Sequence, residues 1–313
     1  MPETIALTGA TGFVGYHVAM RLKNAGFNVR LLVRNPQAVQ WLAGFEVIKG
    51  ALEDKESLKW LTDGSFAVVH CAGAIKARRG AEFDRVNSVG TRAVVEAALA
   101  AGVERFVHLS SLAAREPGLS PYGASKRKSE LAVKKAGDAM VCTILRPPVI
   151  YGPGDPATLG LFKQMQGKRA IVPGSSSMRI SMLYVGDLAN AILQLVCGNQ
   201  HVRGVYEIAD GHPGGYRWLE LAEIAGTSQG RKVSLVFLPQ TLVWGAAYLA
   251  QFWGMISGRA QILSPGKAAE LYHEDWVCHG NLLEETLDWS PEVDFAKGFD
   301  LTLAWYKQEK WLS

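Results

Sequence analysis

The sequence predicts an α/β protein: a doubly wound parallel sheet, followed by a smaller C-terminal α+β lobe. Three observations carry this. In the first half, short apolar runs rich in β-branched residues alternate with amphipathic segments, the pattern of a parallel sheet covered on both faces. A glycine-rich turn joins the first strand directly to the first helix. After Leu145 the alternation ends, where Pro147, Pro148, Pro153 and Pro156 interrupt it. A chain of 313 residues that is 48% hydrophobic is long enough for one large domain or two closely joined ones.

The elements follow in order. Ile5-Ala6-Leu7 reads as a buried strand, and Gly12 to Ala25 as the first helix. Asn28 to Val33, Phe45 to Ile48 and Ala67 to His70 are the next strands. Arg85 to Ala101 is a helix, Phe106 to Leu109 the fifth strand, Tyr122 to Ala136 a helix and Cys142 to Leu145 the sixth strand. Further on, Pro173 to Ser177 reads as a loop. Asp187 to Val196 is helical, with Asp187 placed to cap it. From Tyr206 the units are smaller and less regular. Residues 1–150 form the first domain, with 178–200 returning to it; 151–177 and 201–313 form the second lobe.

Composition narrows the classes. The net charge of +4 comes without a basic block, so no nucleic-acid surface is expected. Cys71, Cys142, Cys197 and Cys278 are far apart and form no Cys-x-x-Cys. Reduced thiols in a cytoplasmic protein are expected, with no metal site. Pro2 and Glu3 lead straight into the first strand, unlike a signal peptide. The stretch from Thr241 to Ser257, with Trp244, Tyr248, Phe252 and Trp253, is shorter than the ~20 residues a membrane span needs.

The turn after the first strand reads Thr8-Gly9-Ala10-Thr11-Gly12-Phe13-Val14-Gly15. Gly9 permits a tight turn, Gly12 lets backbone approach a pyrophosphate, and Gly15 allows close helix-to-strand packing. The unpaired N–H groups at the helix start would then bind phosphate oxygens. The spacing differs by one residue from the usual dinucleotide fingerprint. A cofactor with a free ribose 2′-hydroxyl is usually held at the end of the second strand by Asp or Glu. None lies between Asn28 and Pro36, whereas Arg34 is placed to pair with a 2′-phosphate. NADP(H) is therefore expected over NAD(H).

Tyr122 and Lys126 are four residues apart on the expected helix, one turn above each other on one face. A lysine ammonium beside a phenol stabilises the phenolate and lowers a pKa that starts near ~10. Such a tyrosine can exchange a proton with a substrate oxygen near neutral pH.

With Ser110-Ser111, His70-Cys71-Ala72-Gly73, Asn87 and Arg146-Pro147-Pro148 added, the ordered motifs resemble those of the extended short-chain dehydrogenase/reductase family over most of the chain. This family lies within the NAD-dependent epimerase/dehydratase superfamily and has a Rossmann sheet. The resemblance implies that Ser111 hydrogen-bonds the substrate oxygen, that Tyr122 is the general acid/base, and that Lys126 also holds the nicotinamide ribose. It implies a cofactor cradle of Thr8, Gly9, Thr11, Gly12, Phe13, Val14 and Gly15. Leu52 packs on adenine, Ala72, Gly73 and Ser110 lie along the cofactor, and Asn87 supports the loop. Pro147 and Val149 lie near the nicotinamide. A homodimer is common in the family.

Local features separate the branches. Sugar-nucleotide epimerases often carry Arg-x-x-Asn before Tyr-Gly-Pro; here Val149 stands at the Asn position. The form is more similar to the 3β-hydroxysteroid dehydrogenase and dihydroflavonol reductase branch, which implies a ketone or alcohol on an apolar or bulky small molecule. Trp244, Tyr248, Gln251, Phe252 and Met255 recur at helical spacing. They make an amphipathic core helix, an apolar wall for a substrate, or a membrane-surface helix; Arg259 is nearly alone beside them, which disfavours the last. Arg179 resembles an arginine that contacts phosphates in sugar-nucleotide enzymes and keeps an epimerase or dehydratase open. A non-catalytic nucleotide-binding subunit is the other alternative, opposed by the retention of Ser111, Tyr122 and Lys126. His273 and Trp276 read as structural.

Overall fold

The structure is a computed structural model that describes residues 2–257 and 263–312. In chain order its elements are β1 (Thr4–Thr8), α1 (Phe13–Asn24), β2 (Asn28–Val33), β3 (Glu46–Lys49), α2 (Lys55–Thr62), β4 (Ala67–His70), α3 (Gly80–Phe83), α4 (Gly90–Ala100), β5 (Arg105–Leu109), α5 (Pro121–Lys134), β6 (Val141–Arg146) and β7 (Val149–Tyr151). They continue with α6 (Leu159–Met165), β8 (Arg169–Val172), β9 (Arg179–Ile180), β10 (Met182–Tyr184), α7 (Val185–Cys197), β11 (Gly204–Glu207), β12 (Tyr216–Arg217) and α8 (Trp218–Ser228). The last are β13 (Ser234–Phe237), α9 (Gln240–Ser257), α10 (Pro265–Leu271), β14 (Asp275–Trp276) and α11 (Phe295–Gln308). Two compact units result. The first comprises Met1–Arg146, Ala189–Tyr206 and Leu283–Trp289, and the second the rest.

The first unit holds a seven-stranded sheet in the order β11-β6-β5-β4-β1-β2-β3. β1 to β6 pair in parallel throughout. Ile5, Ala6, Leu7, Val68 and Phe106 are fully buried, because helices cover both faces of such a sheet. Strand order reverses at β1, so the carboxyl ends of β1 and β4 flank the crevice where doubly wound sheets bind ligands. Two elements differ from expectation. β11 is a seventh strand in the sheet, and the stretch expected as one helix over 85–101 begins as a wide π-helical turn, Asp84–Val89, before α4.

The second unit has a separate aromatic core. Phe162 stacks on Phe299 with ring centroids 5.0 Å apart, and Tyr151, Phe295 and Tyr306 close around them. Residues 178–188 belong here: β9 lies between β12 and β14, and β10 pairs with β7. Asp187 does not cap the helix that contains it. Its carboxylate accepts from the Val293 N–H at 3.0 Å. No helix among the described residues is long and apolar enough to cross a membrane. The side chain of Met255, and Arg259, lie outside the described residues.

Candidate active site

The glycine turn is tight for identifiable reasons. Gly9 has φ +78°, and a Cβ there would lie 2.5 Å from the Ala72 nitrogen. A Cβ on Gly15 would lie 2.1 Å from the Gly9 carbonyl oxygen. That oxygen accepts from the Gly12 N–H at 3.0 Å. α1 begins without a side-chain cap and without an acidic residue in its first turn. Its leading N–H groups, at the positive end of the helix, therefore have no intrahelical acceptor. Thr11 and Gly12 are exposed, with Phe13 and Val14 half-buried. A backbone cradle kept open by glycine at a bare helix N-terminus fits a dinucleotide pyrophosphate. Arg34 is exposed just past the end of β2 and has no ion-pair partner among the described residues. Leu52 presses on Gly90, where a Cβ would come within 2.8 Å of Leu52 Cδ1.

α5 supplies the second half. Ser120 caps it by accepting from the Gly123 N–H at 2.9 Å, and Pro121 occupies its first turn. Gly123 lets the helix press on the loop after β5, since a Cβ there would stand 2.7 Å from the Ala113 oxygen. Tyr122 is half-buried, edge-on to Phe83 with ring centroids 5.9 Å apart. One turn on, Lys126 is 4% exposed. Its Nζ donates to the Leu109 carbonyl at 2.6 Å, and a Cβ on Gly73 would lie 3.8 Å from it. Burial lowers the Lys126 pKa from 10.5 to about 8, while Glu130 and Cys71 favour the charged form.

The two serines have different partners. Ser110 is buried and donates to Glu130 Oε1 at 2.7 Å. Ser111 is half-buried, and its Oγ accepts from the Ala113 N–H at 3.2 Å, a contact that does not use the hydroxyl proton. Glu130 is fully buried and takes a two-point ion pair from Arg146, with both contacts at 2.7 Å. Burial works against ionisation of Glu130, but the bonds from Arg146, Ser110 and Arg127 hold its carboxyl below the usual value.

A buried polar chain ties the cradle to α5. Thr91 Oγ1 donates to the Asn87 carbonyl at 2.5 Å, so it accepts from His70 Nε2–H at 2.9 Å. That tautomer makes His70 Nδ1 the acceptor of the Thr8 hydroxyl at 2.7 Å, and Thr8 Oγ1 accepts in turn from the Ala72 N–H at 3.3 Å. Asn87 clamps Ala74 through both backbone groups, at 2.7 and 3.0 Å, and donates to Ser125 Oγ at 2.9 Å. Ser125 donates to the Tyr122 carbonyl at 2.7 Å. Burial, with Lys126 nearby, pushes the His70 pKa down to about 3, so its ring stays neutral.

The structure thus gathers Thr8, Gly9, Gly15, Ala72, Gly73, Asn87, Ser110, Ser111, Tyr122 and Lys126 at the carboxyl ends of β1, β4 and β5. Pro147 and Val149 belong to the second unit, Val149 within β7. Arg179 sits in β9 of that unit and donates to the Gly214 carbonyl at 2.9 Å. Trp276 Nε1 donates to the Glu270 carbonyl at 2.8 Å and packs on His273. Among the described residues no group of His, Cys, Asp or Glu is arranged to hold a metal ion. Glu130 and His70 were not anticipated as site residues. Glu130 had a readable signal, since it lies four residues beyond Lys126 on the same face of α5.

Known proteins resemble this chain in sequence and in fold. A model of the NAD dependent epimerase/dehydratase family matches residues 5–209. The chain is 40% identical over 311 residues to a ceramide reductase of Caulobacter vibrioides, spanning 98% of this chain and 96% of the relative. It is 27% identical to a 4-hydroxy-2-methyl-3-oxo-4-farnesyl-3,4-dihydroquinoline-1-oxide ketoreductase of Stigmatella aurantiaca, over 94% of each chain. The structure of a UDP-glucuronic acid 4-epimerase from Bacillus cereus, in complex with UDP-glucuronic acid and NAD, superposes with a TM-score of 0.74 at 20% identity. It covers 98% of this chain and 99% of that one, a likeness of fold. The chain belongs to the NAD-dependent epimerase/dehydratase family. It is an NAD(P)-dependent enzyme of the short-chain dehydrogenase/reductase type.

Proposed function

We propose that the protein reduces a ketone on a long-chain, lipid-like molecule with NADP(H), using Tyr122 as proton donor. The observation that carries this is the placement of Lys126. Its ammonium is anchored on Leu109 beside Gly73, one turn from Tyr122 on the same helix. Thr8, Gly9, Thr11, Gly12, Phe13, Val14 and Gly15 bind the pyrophosphate, with Leu52 on the adenine side. Ala72, Gly73, Asn87 and Ser110 hold the chain along the cofactor's path. When bound, the dinucleotide supplies the hydride. Ser111 donates a hydrogen bond from its hydroxyl to the carbonyl oxygen and polarises it. Tyr122 transfers its proton to that oxygen as negative charge develops, and the nearby Lys126 ammonium stabilises the phenolate left behind.

The substrate class rests on the 40% identical relative, named a ceramide reductase, and on Val149, which offers no hydrogen bond to a sugar diphosphate. A panel of long-chain 3-keto lipids and UDP-sugars, assayed by NADPH oxidation and by sugar epimerisation, tests it. Turnover of the keto lipids alone is expected. Epimerisation of a UDP-sugar without net NADPH oxidation would overturn the reading.

For the cofactor, the unpaired Arg34 is expected to favour NADP(H). Arg34→Asp should weaken NADPH binding by ~10-fold or more, the loss of a charge-assisted bond of ~1.5–3 kcal/mol plus a new repulsion. Fluorescence titration of both cofactors measures this. Equal NADH and NADPH affinity in the wild type would remove Arg34 from the role.

The pH dependence has a definite sign. As pH rises through about 8, Lys126 loses its charge, and kcat/KM for reduction is expected to fall. Stability moves the other way. The folded value lies below the unfolded 10.5, so between the two the unfolded chain binds more protons, and stability rises with pH. Parallel rate and unfolding measurements separate the effects. A rate profile flat across that value would dissociate the Lys126 charge from the chemistry.

A further inference from the structure

α9 is apolar on two opposite sides. Val243 and Ala247 are buried and pack towards α10 with Ala268. At 3.6 residues per turn, the side facing away carries Leu242, Tyr248, Leu249, Phe252, Trp253 and Ile256. All are between 58% and 71% exposed. Large apolar side chains gathered this way on a protein surface mark a docking site. From Val233 to Ser257 no residue carries a charge. The outward face of the ribbon preceding α9 continues the apolar character, with Ile171 and Val236 cross-strand neighbours at 48% and 45% exposure.

A basic flank missing from the local sequence is supplied by strand pairing. β8 and β13 run parallel with Arg169 opposite Ser234, and the Ser234 N–H donates to the Lys168 carbonyl at 3.0 Å. This brings Lys168 and Arg169 beside the segment containing Arg231 and Lys232. All four are exposed, and none forms an ion pair among the described residues. The cations thus stand at the start of the ribbon, and the apolar helix follows its end. Tyr, Trp and Phe on an uncharged helix suit the boundary between headgroups and acyl chains. Clustered cations suit anionic headgroups. A second copy of the chain fits less well. A two-fold pair would set these four cations against the same four of its own copy.

We propose that α9 and the β8–β13 ribbon seat the protein on the surface of a lipid bilayer bearing anionic headgroups, without crossing it. The proposal is independent of which ketone is reduced. The test is cosedimentation of the full chain with vesicles of phosphatidylcholine alone or with phosphatidylglycerol added. Binding is expected with the anionic vesicles and should weaken with salt. F252E combined with W253E should reduce it by ~10-fold or more. R231E combined with K232E should reduce it by about fivefold for each cation removed, and only on anionic vesicles. Both positions in each pair are exposed, so unchanged unfolding midpoints are expected. As a readout that needs no variant, vesicles with brominated acyl chains should quench the tryptophan emission of the wild type. Absence of binding by the wild type would overturn the proposal, as would full binding by F252E/W253E. A solution dimer that F252E/W253E splits would assign the face to a second copy instead.

Discussion

Tyr122→Phe is expected to lower turnover by ~10²–10⁴-fold, the range contributed by a positioned general acid, while leaving cofactor affinity close to wild type. The substitution removes one oxygen and keeps the ring, so the edge-on contact with Phe83 and the capped start of α5 survive. The magnitude distinguishes the roles. A hydroxyl that served only folding would cost ~1 kcal/mol of stability and scarcely touch kcat. The expected loss corresponds to ~2.7–5.4 kcal/mol in the barrier, and it falls on kcat without a matching change in the unfolding midpoint. Single-turnover hydride transfer with NADPH, alongside cofactor titration, measures both sides. Near wild-type turnover by the phenylalanine enzyme would remove Tyr122 from proton transfer. Ser111→Ala provides the graded comparison, because losing one donor to the developing oxyanion typically costs ~10²–10³-fold.

Much of this site could be read from the chain because its parts are local. Asn28–Val33 and Ala67–His70 are strands with the boundaries their apolar runs suggest. The glycine turn lies between a strand and a helix, and Tyr122 and Lys126 share a helix whose cap and first-turn proline are adjacent in sequence. What escaped reading depends on partners distant in the chain. Asp84–Val89 widens into a π turn, a distortion often found at functional sites, and Asn87 within it reaches Ala74 and Ser125; the periodicity of residues 85–101 contains no trace of either partner. β11 is short and starts at Gly204, so it gains its place only by pairing with β6. Asp187 has the chemistry of a cap, but its acceptor capacity goes to Val293, more than a hundred residues away. The same holds for the basic flank of α9. Arg169 and Arg231 are unrelated charges in the sequence, and only the pairing of β8 with β13 sets Arg169 opposite Ser234, three residues past Arg231.

Gly15→Ala is expected to damage the cradle by sterics alone. No φ penalty is involved at this position, and within a helix alanine is ordinarily favoured over glycine by ~1 kcal/mol. The obstacle is steric. The added Cβ would lie 2.1 Å from the Gly9 oxygen, 2.6 Å from its carbon and 2.9 Å from the Ala10 Cα, all backbone that cannot swing aside as a side chain would. Relief requires α1 to lift from β1 or the Gly9 carbonyl to rotate, and the latter breaks its bond from the Gly12 N–H. A loss of ~1–3 kcal/mol in stability is expected, as for overpacking elsewhere. Cofactor affinity should fall with it, since the displaced peptide belongs to the turn proposed to bind the pyrophosphate. Gly160→Ala is the matched control. It adds the same methyl at a helical position in α6 where nothing lies within 4 Å, and it is expected to stabilise by ~0.4–1 kcal/mol. Thermal unfolding with and without NADPH reads both variants. If Gly15→Ala retained the wild-type midpoint and the full ligand-induced shift, the close approach of α1 to the Gly9 peptide would not be what shapes the cradle.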